Sequence, residues 1–297
     1  AADQVEAVEH PTGSSRIVAP AGSGKTRVLT ERARHLVRGW GLPASAVTLV
    51  AYNRRAQEEM QQRLADVPGV QVRTLNSIAL AIVNGVAPFA PQPDRWRTLD
   101  EREVRGVLSD LIRTPRRRNV DPYAPWIDAL TAVRLGMREP SAVERDGDGD
   151  VTGLAEVAEA YEERLRSMHA LDFDAQVVTA IRLLLADPAT RDRARSVTRV
   201  LLVDEFQDLT PAHVLLLRLL ASPTWNLFGV GDDDQTIYGY NGADPSWLID
   251  FDSLVPAAGS HALEVNYRCP PDVVEQVDRL LRHNRRRVPK TIRAGRD

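Results

Sequence analysis

The sequence predicts an α/β fold in which a parallel sheet carries a phosphate-binding loop and a block of helices interrupts the sheet. Three observations support this prediction. Short apolar runs alternate with helical patterns over residues 1–85 and again from residue 199, which is typical of parallel sheets flanked by helices. A glycine-bearing turn followed by Lys25-Thr26 lies between the first run and the first long helix. Residues 86–198 carry helical patterns with few strand signals.

The first predicted strand and the turn after it have the pattern of a phosphate-binding loop. Residues 16–18 form a short run that suits a buried strand, residues 19–24 are small or turn-forming, and residues 27–37 have helical spacing. In such a unit the N–H groups of the turn and of the helix N-terminus face phosphates, a lysine reaches the outer phosphates, and a hydroxyl binds Mg²⁺. Lys25 and Thr26 occupy these two positions; the alternative is a surface turn before a helix. The predicted nucleotide contacts are Ala21, Gly22, Ser23, Gly24, Lys25, Thr26 and Arg27.

The use of lysine in this chain supports the phosphate loop. Ala19 stands where the strict motif has glycine, so the pattern alone is slightly imperfect. Lysine and arginine together number 38, but only Lys25 and Lys290 are lysines. A lysine kept in the turn indicates a place that needs a compact ammonium and would not accept the planar guanidinium of arginine.

The composition limits the classes of protein to which the chain can belong. Its 297 residues can form one large core or two smaller ones, and 43% hydrophobic residues are ordinary for a globular protein. We expect a cytoplasmic protein, because no run is long and apolar enough to cross a membrane, no signal-peptide pattern is seen, and Cys269 is the only cysteine. The net charge of −3 does not favour nucleic-acid binding through overall charge, so such binding must use local basic patches and stacking aromatic side chains.

Acidic and amide side chains follow the apolar runs of the second half. Opposite a phosphate loop, Asp204 would hold Mg²⁺ and Glu205 would deprotonate the water that attacks the γ-phosphate. The alternative is that this pair caps the helix that begins near Pro211. Gln235 follows the next apolar run and is well placed to sense the γ-phosphate, since open α/β sheets bind ligands at the carboxyl ends of their strands. The predicted strands are 16–18, 46–51, 70–73, 200–203, 226–230 and 262–265.

Several aromatic and polar residues are candidates for binding bases. Tyr52, Tyr238 and Tyr240 are half of the six tyrosines, and all three lie in predicted loops at strand ends. Aromatic side chains on a polar rim suit the stacking of single-stranded bases. Gln4 lies in a short amphipathic helix before the first strand, and its amide can both donate and accept a hydrogen bond, as the edge of an adenine requires. A surface glutamine is the alternative for Gln4.

Residues 86–198 are predicted to be a helical insertion between two parts of one α/β domain. Basic clusters at 113–118 and 191–199 are interpreted as solvated faces, with phosphate contact as the alternative. Residues 146–150 resemble a calcium-binding loop only superficially, because Val151 and Val157 stand where that loop needs glycine and glutamate. The predicted helices are 99–113, 124–137, 153–169 and 174–186.

Together these motifs resemble the UvrD/PcrA/Rep branch of superfamily-one DNA helicases, and the resemblance covers the chain nearly from end to end. Gln4 matches the family's adenine-reading glutamine. The segments that carry the resemblance are residues 19–26 (the phosphate loop), 52–60 (the DNA-stacking segment), 171–174 (the box that ends the inserted subdomain), 203–208 (VDEFQD, the Asp-Glu box), 230–243 (VGDDDQTIYGYNGA, the coupling motif) and 263–270 (LEVNYRCP, the first motif of the second motor domain).

The resemblance implies a RecA-like P-loop NTPase fold and ATP-driven movement along single-stranded DNA, three-prime to five-prime, with duplex unwinding in DNA repair or recombination. ATP and Mg²⁺ are the implied cofactors. Tyr267 would stack on adenine, and Arg268 would reach the γ-phosphate as one of two arginine fingers. With Arg268, the implied catalytic residues are Lys25, Glu205 and Gln235. The implied DNA contacts are Tyr52, Arg54, Arg55, Thr74, Asn76, Tyr238, Tyr240 and Asn241.

Two departures from the family pattern concern DNA contact. Tyr240-Asn241 stands where the family usually has Trp-Arg, which removes a phosphate-contacting cation and shrinks the stacking surface. Thr74-Leu75-Asn76-Ser77 stands where the family usually has Thr-Phe-His-Ser. Both differences put the strength of DNA binding in question and leave its existence as an expectation.

The resemblance also implies a division into domains. Residues 1–85 with 199–262 would form the ATP-binding motor domain, 86–198 the inserted helical subdomain, and 263–297 the start of a second motor domain. We expect an N-terminal fragment that hydrolyses ATP poorly alone, because the other arginine finger is not recognisable after Arg268. The expected partners are single-stranded DNA, duplex junctions and the second motor domain, in cis or on a partner chain, with no membrane. Two alternatives stay open: the ATP- and DNA-binding module of a RecB-like helicase–nuclease, and a DNA-binding scaffold without motor activity.

Overall fold

The structure is a computed structural model that describes residues 1–113, 121–147, 149–235 and 242–295. Within these ranges, six parallel strands form one sheet in the order β3-β2-β6-β7-β1-β8. Two further pairs, β4 with β5 and β9 with β10, form small separate sheets. The strands are β1 (Ser15–Val18), β2 (Val47–Ala51), β3 (Gln71–Thr74), β4 (Arg97–Thr98), β5 (Ala170–Leu171), β6 (Val200–Val203), β7 (Leu227–Gly231), β8 (Gly259–Ala262), β9 (Val265–Asn266) and β10 (Arg293–Ala294).

The four helices predicted within residues 86–198 are all present, at 101–111, 124–134, 154–167 and 173–186, and two helices of this region, 140–146 and 188–197, were not predicted. The predicted helix 27–37 begins two residues earlier, at Lys25, and after Arg34 it continues as a π-helix over His35–Gly39. The helices are α1 (Ala2–Val8), α2 (Lys25–Arg34), α3 (Arg54–Arg63), α4 (Leu75–Val83), α5 (Glu101–Leu111), α6 (Ala124–Arg134), α7 (Pro140–Asp146), α8 (Leu154–Ser167), α9 (Phe173–Ala186), α10 (Pro188–Val197), α11 (Pro211–Ala221), α12 (Ser246–Ile249), α13 (Phe251–Leu254) and α14 (Pro271–Leu281).

The main sheet is covered on both faces, and its central strands are therefore largely apolar. On β1, Ile17 packs in one core with residues of α1, α2 and α3, whereas Val18 packs in the other with residues of α4, α9 and α11. On β6, Leu202 faces the first core and Leu201 the second. Because β6, β7 and β1 are parallel neighbours, their carboxyl ends lie at one edge of the sheet, where the loops after them meet.

One predicted strand is displaced along the chain. The sequence predicts it at 262–265, but β8 spans Gly259–Ala262 and pairs with β1, with Ile17 opposite His261. β8 is an edge strand with half-buried side chains, so it lacks an apolar run. The apolar residues used for the prediction instead span the end of β8 and the beginning of β9.

The interrupting region consists mainly of helices and also contains the two-residue pair of β4 and β5, which the sequence did not indicate. Helix α9 packs against α4, α10 and α11, so the end of this region contributes to one face of the main sheet. The division into domains at residues 85, 198 and 262 remains a prediction.

Candidate functional site

A cavity of about 520 Å³ lies at the edge of the sheet where the loops after β1 and β6 meet. It brings together ten of the predicted site residues from four separate parts of the chain. Its lining also includes Glu59 and Arg63 of α3, which sequence reasoning missed; Arg63 donates to Oε1 of Glu59 at 2.7 Å. The available signal was their four-residue spacing, which places two side chains on the same face of a helix. The predicted residues in the lining are Ala21, Gly22, Gly24, Lys25, Thr26, Arg27, Glu205, Gln235, Tyr267 and Arg268.

The loop between β1 and α2 has a shape that requires glycine. Gly22 and Gly24 have φ angles of 75° and 94°, which L-residues rarely adopt. A Cβ added at Gly22 would lie 2.6 Å from the Cβ of Arg268 and 2.8 Å from Oδ1 of Asn266. Ser23 is buried, and its hydroxyl donates to the carbonyl of Pro20 at 2.7 Å. The loop is therefore packed against residues 266–268 and stabilised by a hydrogen bond between two of its own residues.

Lys25 and Glu205 meet across the cavity. Lys25 Nζ lies 2.6 Å from Oε2 of Glu205, and the two side chains are 13% and 30% exposed. Glu205 has a φ angle of 48°, a left-handed conformation that costs energy for a residue with a Cβ and is found preferentially at functional sites. The turn after β6 therefore places the Glu205 carboxylate in contact with Lys25 of the loop.

Asp204 is a buried carboxylate whose Oδ1 has no hydrogen-bond partner among the residues that the structure describes. Burial, together with the negative charge of Glu205, raises its pKa to about 7. The same two causes raise the pKa of Asp208 to about 6. An unpartnered carboxylate oxygen beside a phosphate loop fits the chemistry of Mg²⁺, which binds hard oxygen ligands and keeps several waters. Thr26, at the start of α2, lines the cavity and offers a hydroxyl oxygen.

A buried glutamine connects the acidic pair to the strand β7, and sequence reasoning missed it. Gln207 is 1% exposed, and its Nε2 donates to Oε2 of Glu205 at 3.0 Å. Its Oε1 accepts the backbone N–H of Asp232 at 3.0 Å. Gln235 in turn donates from Nε2 to Oδ2 of Asp232. The glutamine two positions after Glu205 was the available signal, but its bonding depends on contacts that only the fold creates.

The residues predicted to bind adenine lie beside the same loop. Gln4 donates from Nε2 to the carbonyl of Ser23 at 2.8 Å, which places its amide next to the loop although it does not line the cavity. The backbone N–H of Tyr267 donates to the carbonyl of Gly22 at 3.0 Å, and the Tyr267 side chain is 41% exposed. Cys269, the only cysteine of the chain, is partly buried.

The predicted DNA contacts that belong to the described residues do not line the cavity. Tyr52, 40% exposed, follows β2, and Arg54 and Arg55 are exposed in the first turn of α3. Thr74 caps α4, since its hydroxyl accepts the N–H of Ser77, and Asn76 donates from Nδ2 to the carbonyl of Phe173 at 2.6 Å. A role of Thr74 and Asn76 in DNA binding remains a prediction. Tyr238, Tyr240 and Asn241 lie outside the described residues.

No helix in the described ranges combines the length and apolar character that crossing a lipid bilayer requires.

The parallel sheet, the loop between β1 and α2, and the acidic pair after β6 define a RecA-like α/β domain with a phosphate-binding loop. Comparison with known proteins agrees with this class. The model of the UvrD/REP helicase N-terminal domain matches residues 1–256, so the chain belongs to this family. Both the fold class and the family resemblance predicted from the sequence are thereby confirmed.

Several bacterial proteins are similar to this chain over nearly its whole length. The putative ATP-dependent DNA helicase YjcD of Bacillus subtilis strain 168 is 29% identical over 303 residues, which cover 99% of this chain and 40% of the relative. The ATP-dependent DNA helicases PcrA of Staphylococcus epidermidis and Staphylococcus aureus are 29% and 30% identical over 300 residues, which cover 98% of this chain and 41% of each relative. The chain therefore spans about two fifths of the length of these relatives.

Proposed function

We propose that this chain is the ATP-binding part of an ATP-dependent DNA helicase that moves three-prime to five-prime along single-stranded DNA and unwinds duplex junctions. The observation that carries this proposal is the 2.6 Å contact between Lys25 Nζ and Glu205 Oε2 across a cavity large enough for a triphosphate. The PcrA relatives are named ATP-dependent DNA helicases, which supports the same activity. A role in DNA repair or recombination belongs to this proposal.

In the proposed site, each residue has a distinct task. The N–H groups of residues 21–27 hold the phosphates, and Lys25 neutralises the charge that develops on the transferred phosphoryl group. Glu205 orients the attacking water and accepts its proton, while the Gln207 hydrogen bond fixes the direction of that carboxylate. Gln235 senses the γ-phosphate.

Mg²⁺ would be held by Asp204 and by the hydroxyl of Thr26, and it would offset charge on the phosphates. Gln4 and Tyr267 would contact the adenine. Arg268 would act as an arginine finger; in related nucleotide hydrolases such a residue contributes roughly 10³–10⁵ in rate.

DNA would contact the loops after β2 and β3 through Tyr52, Arg54, Arg55, Thr74 and Asn76. Stacking on aromatic side chains and ion pairs with phosphates bind single strands without sequence preference. The remaining DNA contacts, Tyr238, Tyr240 and Asn241, and a second motor domain in cis or on a partner chain, belong to the same proposal.

Nucleotide titration tests this function. A fluorescent ATP analogue with Mg²⁺ is expected to bind the wild-type chain and to bind Lys25→Ala at least tenfold more weakly. The matched control is Arg182→Ala, which removes a cation that is 63% exposed and paired with Glu162 far along the chain from the loop. Equal affinity of the wild type and Lys25→Ala would contradict the proposal. A gel-shift titration with single-stranded DNA, comparing the wild type with Tyr52→Ala, tests the DNA contact.

A further inference from the structure

The second lysine of the chain is buried among three carboxylates. Asp232, Asp233 and Asp234 follow β7, and the Lys290 ammonium contacts all three. Its Nζ lies 2.8 Å from Oδ2 of Asp234 and 3.5 Å from Oδ1 of Asp232, and it bonds Oδ1 of Asp233. The side chain of Lys290 is 0% exposed. Such a group of carboxylates could otherwise hold a metal ion, but here the Lys290 ammonium lies among them.

The segment that carries Lys290 makes further contacts with the same aspartates. Asn284 donates from Nδ2 to Oδ1 of Asp234 at 2.8 Å, and Arg287 donates to Oδ2 of Asp234 at 2.8 Å. The backbone N–H of Val288 donates to Oδ2 of Asp233 at 2.7 Å. These hydrogen bonds and ion pairs therefore hold residues 284–290, which follow helix α14, against the loop after β7.

Further polar contacts connect these aspartates to the proposed phosphate site. Gln235 donates to Oδ2 of Asp232, whose other carboxylate oxygen faces Lys290. The N–H of Asp232 bonds Gln207, Gln207 bonds Glu205, and Glu205 bonds Lys25. The only two lysines of the chain thus stand at the two ends of one continuous series of polar contacts.

The chemistry of this site favours lysine over arginine. Burial would lower the pKa of Lys290, but its hydrogen bonds to Asp233 and Asp234 raise the pKa above its ordinary value, so the ammonium is charged at neutral pH. Three donors on a compact centre can serve three carboxylates from three directions, whereas the guanidinium of arginine is planar and larger. Arginine supplies nearly every other basic position of the chain.

We propose that Lys290 is a positioning residue for γ-phosphate recognition: by holding the Asp232 carboxylate, it fixes the amide of Gln235 towards the phosphate loop. This inference rests on the proposed function, since it assigns Gln235 to the γ-phosphate. It makes the segment after α14 a part of the nucleotide site, although Lys290 itself touches no nucleotide.

The test compares two nucleotides on the same variant. Lys290→Met is expected to weaken binding of a non-hydrolysable ATP analogue about five- to tenfold, the effect of one typical hydrogen bond, and to change ADP binding less than about twofold. Gln235→Ala is expected to give the same selective loss, and the double variant no further loss, because both changes remove one interaction. Arg293→Met is the control: it removes a cation of the same segment that is 63% exposed and paired with Glu264, and it should change neither affinity.

Two further variants make the result decisive. Lys290→Arg is expected to behave like Lys290→Met, so normal ATP-analogue binding by Lys290→Arg would overturn the requirement for a compact ammonium. Circular dichroism reports whether Lys290→Met is folded. If Lys290→Met is not folded, Asp233→Asn takes its place, because Asp233 bonds Lys290 but not Gln235 and asparagine has the shape of aspartate. This variant is expected to lose less affinity than Lys290→Met would, and to lose it selectively for the ATP analogue.

Equal losses of ADP and ATP-analogue binding would overturn this proposal alone and would indicate a general structural role for Lys290. A wild-type chain that binds neither nucleotide would instead contradict the proposed function, and this inference with it.

Discussion

Lys25 Nζ and Glu205 Oε2 are 2.6 Å apart, although 180 positions separate the two residues in the chain. This contact fixes the relation between the loop after β1 and the turn after β6, which are separated in the sheet by β7. A phosphate that binds Lys25 must therefore share the ammonium with the carboxylate proposed to activate water. The charge balance around this pair underlies the first two predictions.

The free energy of unfolding should depend on pH through Asp204. Its pKa is raised from 3.8 to about 7 by burial and by Glu205, so between these values the folded chain binds a proton that the unfolded chain does not. Stability is therefore lost as the pH rises through this window. Asp204→Asn removes the effect, and without Mg²⁺ its stability advantage over the wild type should grow between pH 5 and pH 8 by about 1–3 kcal/mol. Urea unfolding at both pH values measures the difference; an advantage independent of pH would show that ionisation of Asp204 is not its cause.

Replacing the buried Gln207 should affect both stability and the proposed chemistry. Gln207→Ala leaves the N–H of Asp232 without its partner, which should cost about 1–3 kcal/mol of unfolding free energy. It also frees the Glu205 carboxylate, so ATP turnover should fall more than ATP binding. The control is Gln71→Ala: Gln71 also bonds a backbone group, since it donates to the carbonyl of Ser45, but it is only partly buried. Unfolding by urea and a phosphate-release assay test the two effects, and a loss no larger than that of the control would count against this role.

The insertion should depend on a buried ion network between α6 and α9. Arg134 donates to both carboxylate oxygens of Asp172, at 2.9 and 2.8 Å, and to Asp174 at 3.1 Å. The hydroxyl of Tyr161 also donates to Asp172, at 2.8 Å. Arg134→Met leaves two buried carboxylates without their cation and should lower the unfolding free energy by about 3–5 kcal/mol.

The matched control for Arg134 is Arg182→Met, which breaks an exposed pair with Glu162 and should cost less than about 1 kcal/mol. Thermal and urea unfolding compare the two variants. Similar losses in both would show that burial of Arg134 is not the source of its effect.

The sequence predicted the parts of this molecule that depend on local patterns. β2 and β6 were predictable because strands covered on both faces form nearly continuous apolar runs. The loop after β1 was predictable because the order of glycine, lysine and threonine is set by phosphate chemistry. β8 was misplaced because an edge strand with half-buried side chains leaves no apolar run.

Other parts could not be predicted because they depend on distant contacts. Gln207 and Lys290 carry no local signal of their partners: each obtains its role only when separate strands and loops meet. The rarity of lysine marked Lys290 as unusual, but the three aspartates around it follow a strand more than fifty positions earlier. Glu59 and Arg63 likewise reach the cavity only through the placement of α3.

The chain beyond β8 remains attached to the phosphate loop by its own backbone. The N–H of Leu263 donates to the carbonyl of Val18 at 2.9 Å, and the N–H of Tyr267 donates to the carbonyl of Gly22 at 3.0 Å. Separation of residues 263–267 from the main sheet would therefore break hydrogen bonds that peptide groups of β1 and of the loop accept. Because both bonds join main-chain atoms, side-chain substitutions other than proline leave their donors and acceptors in place.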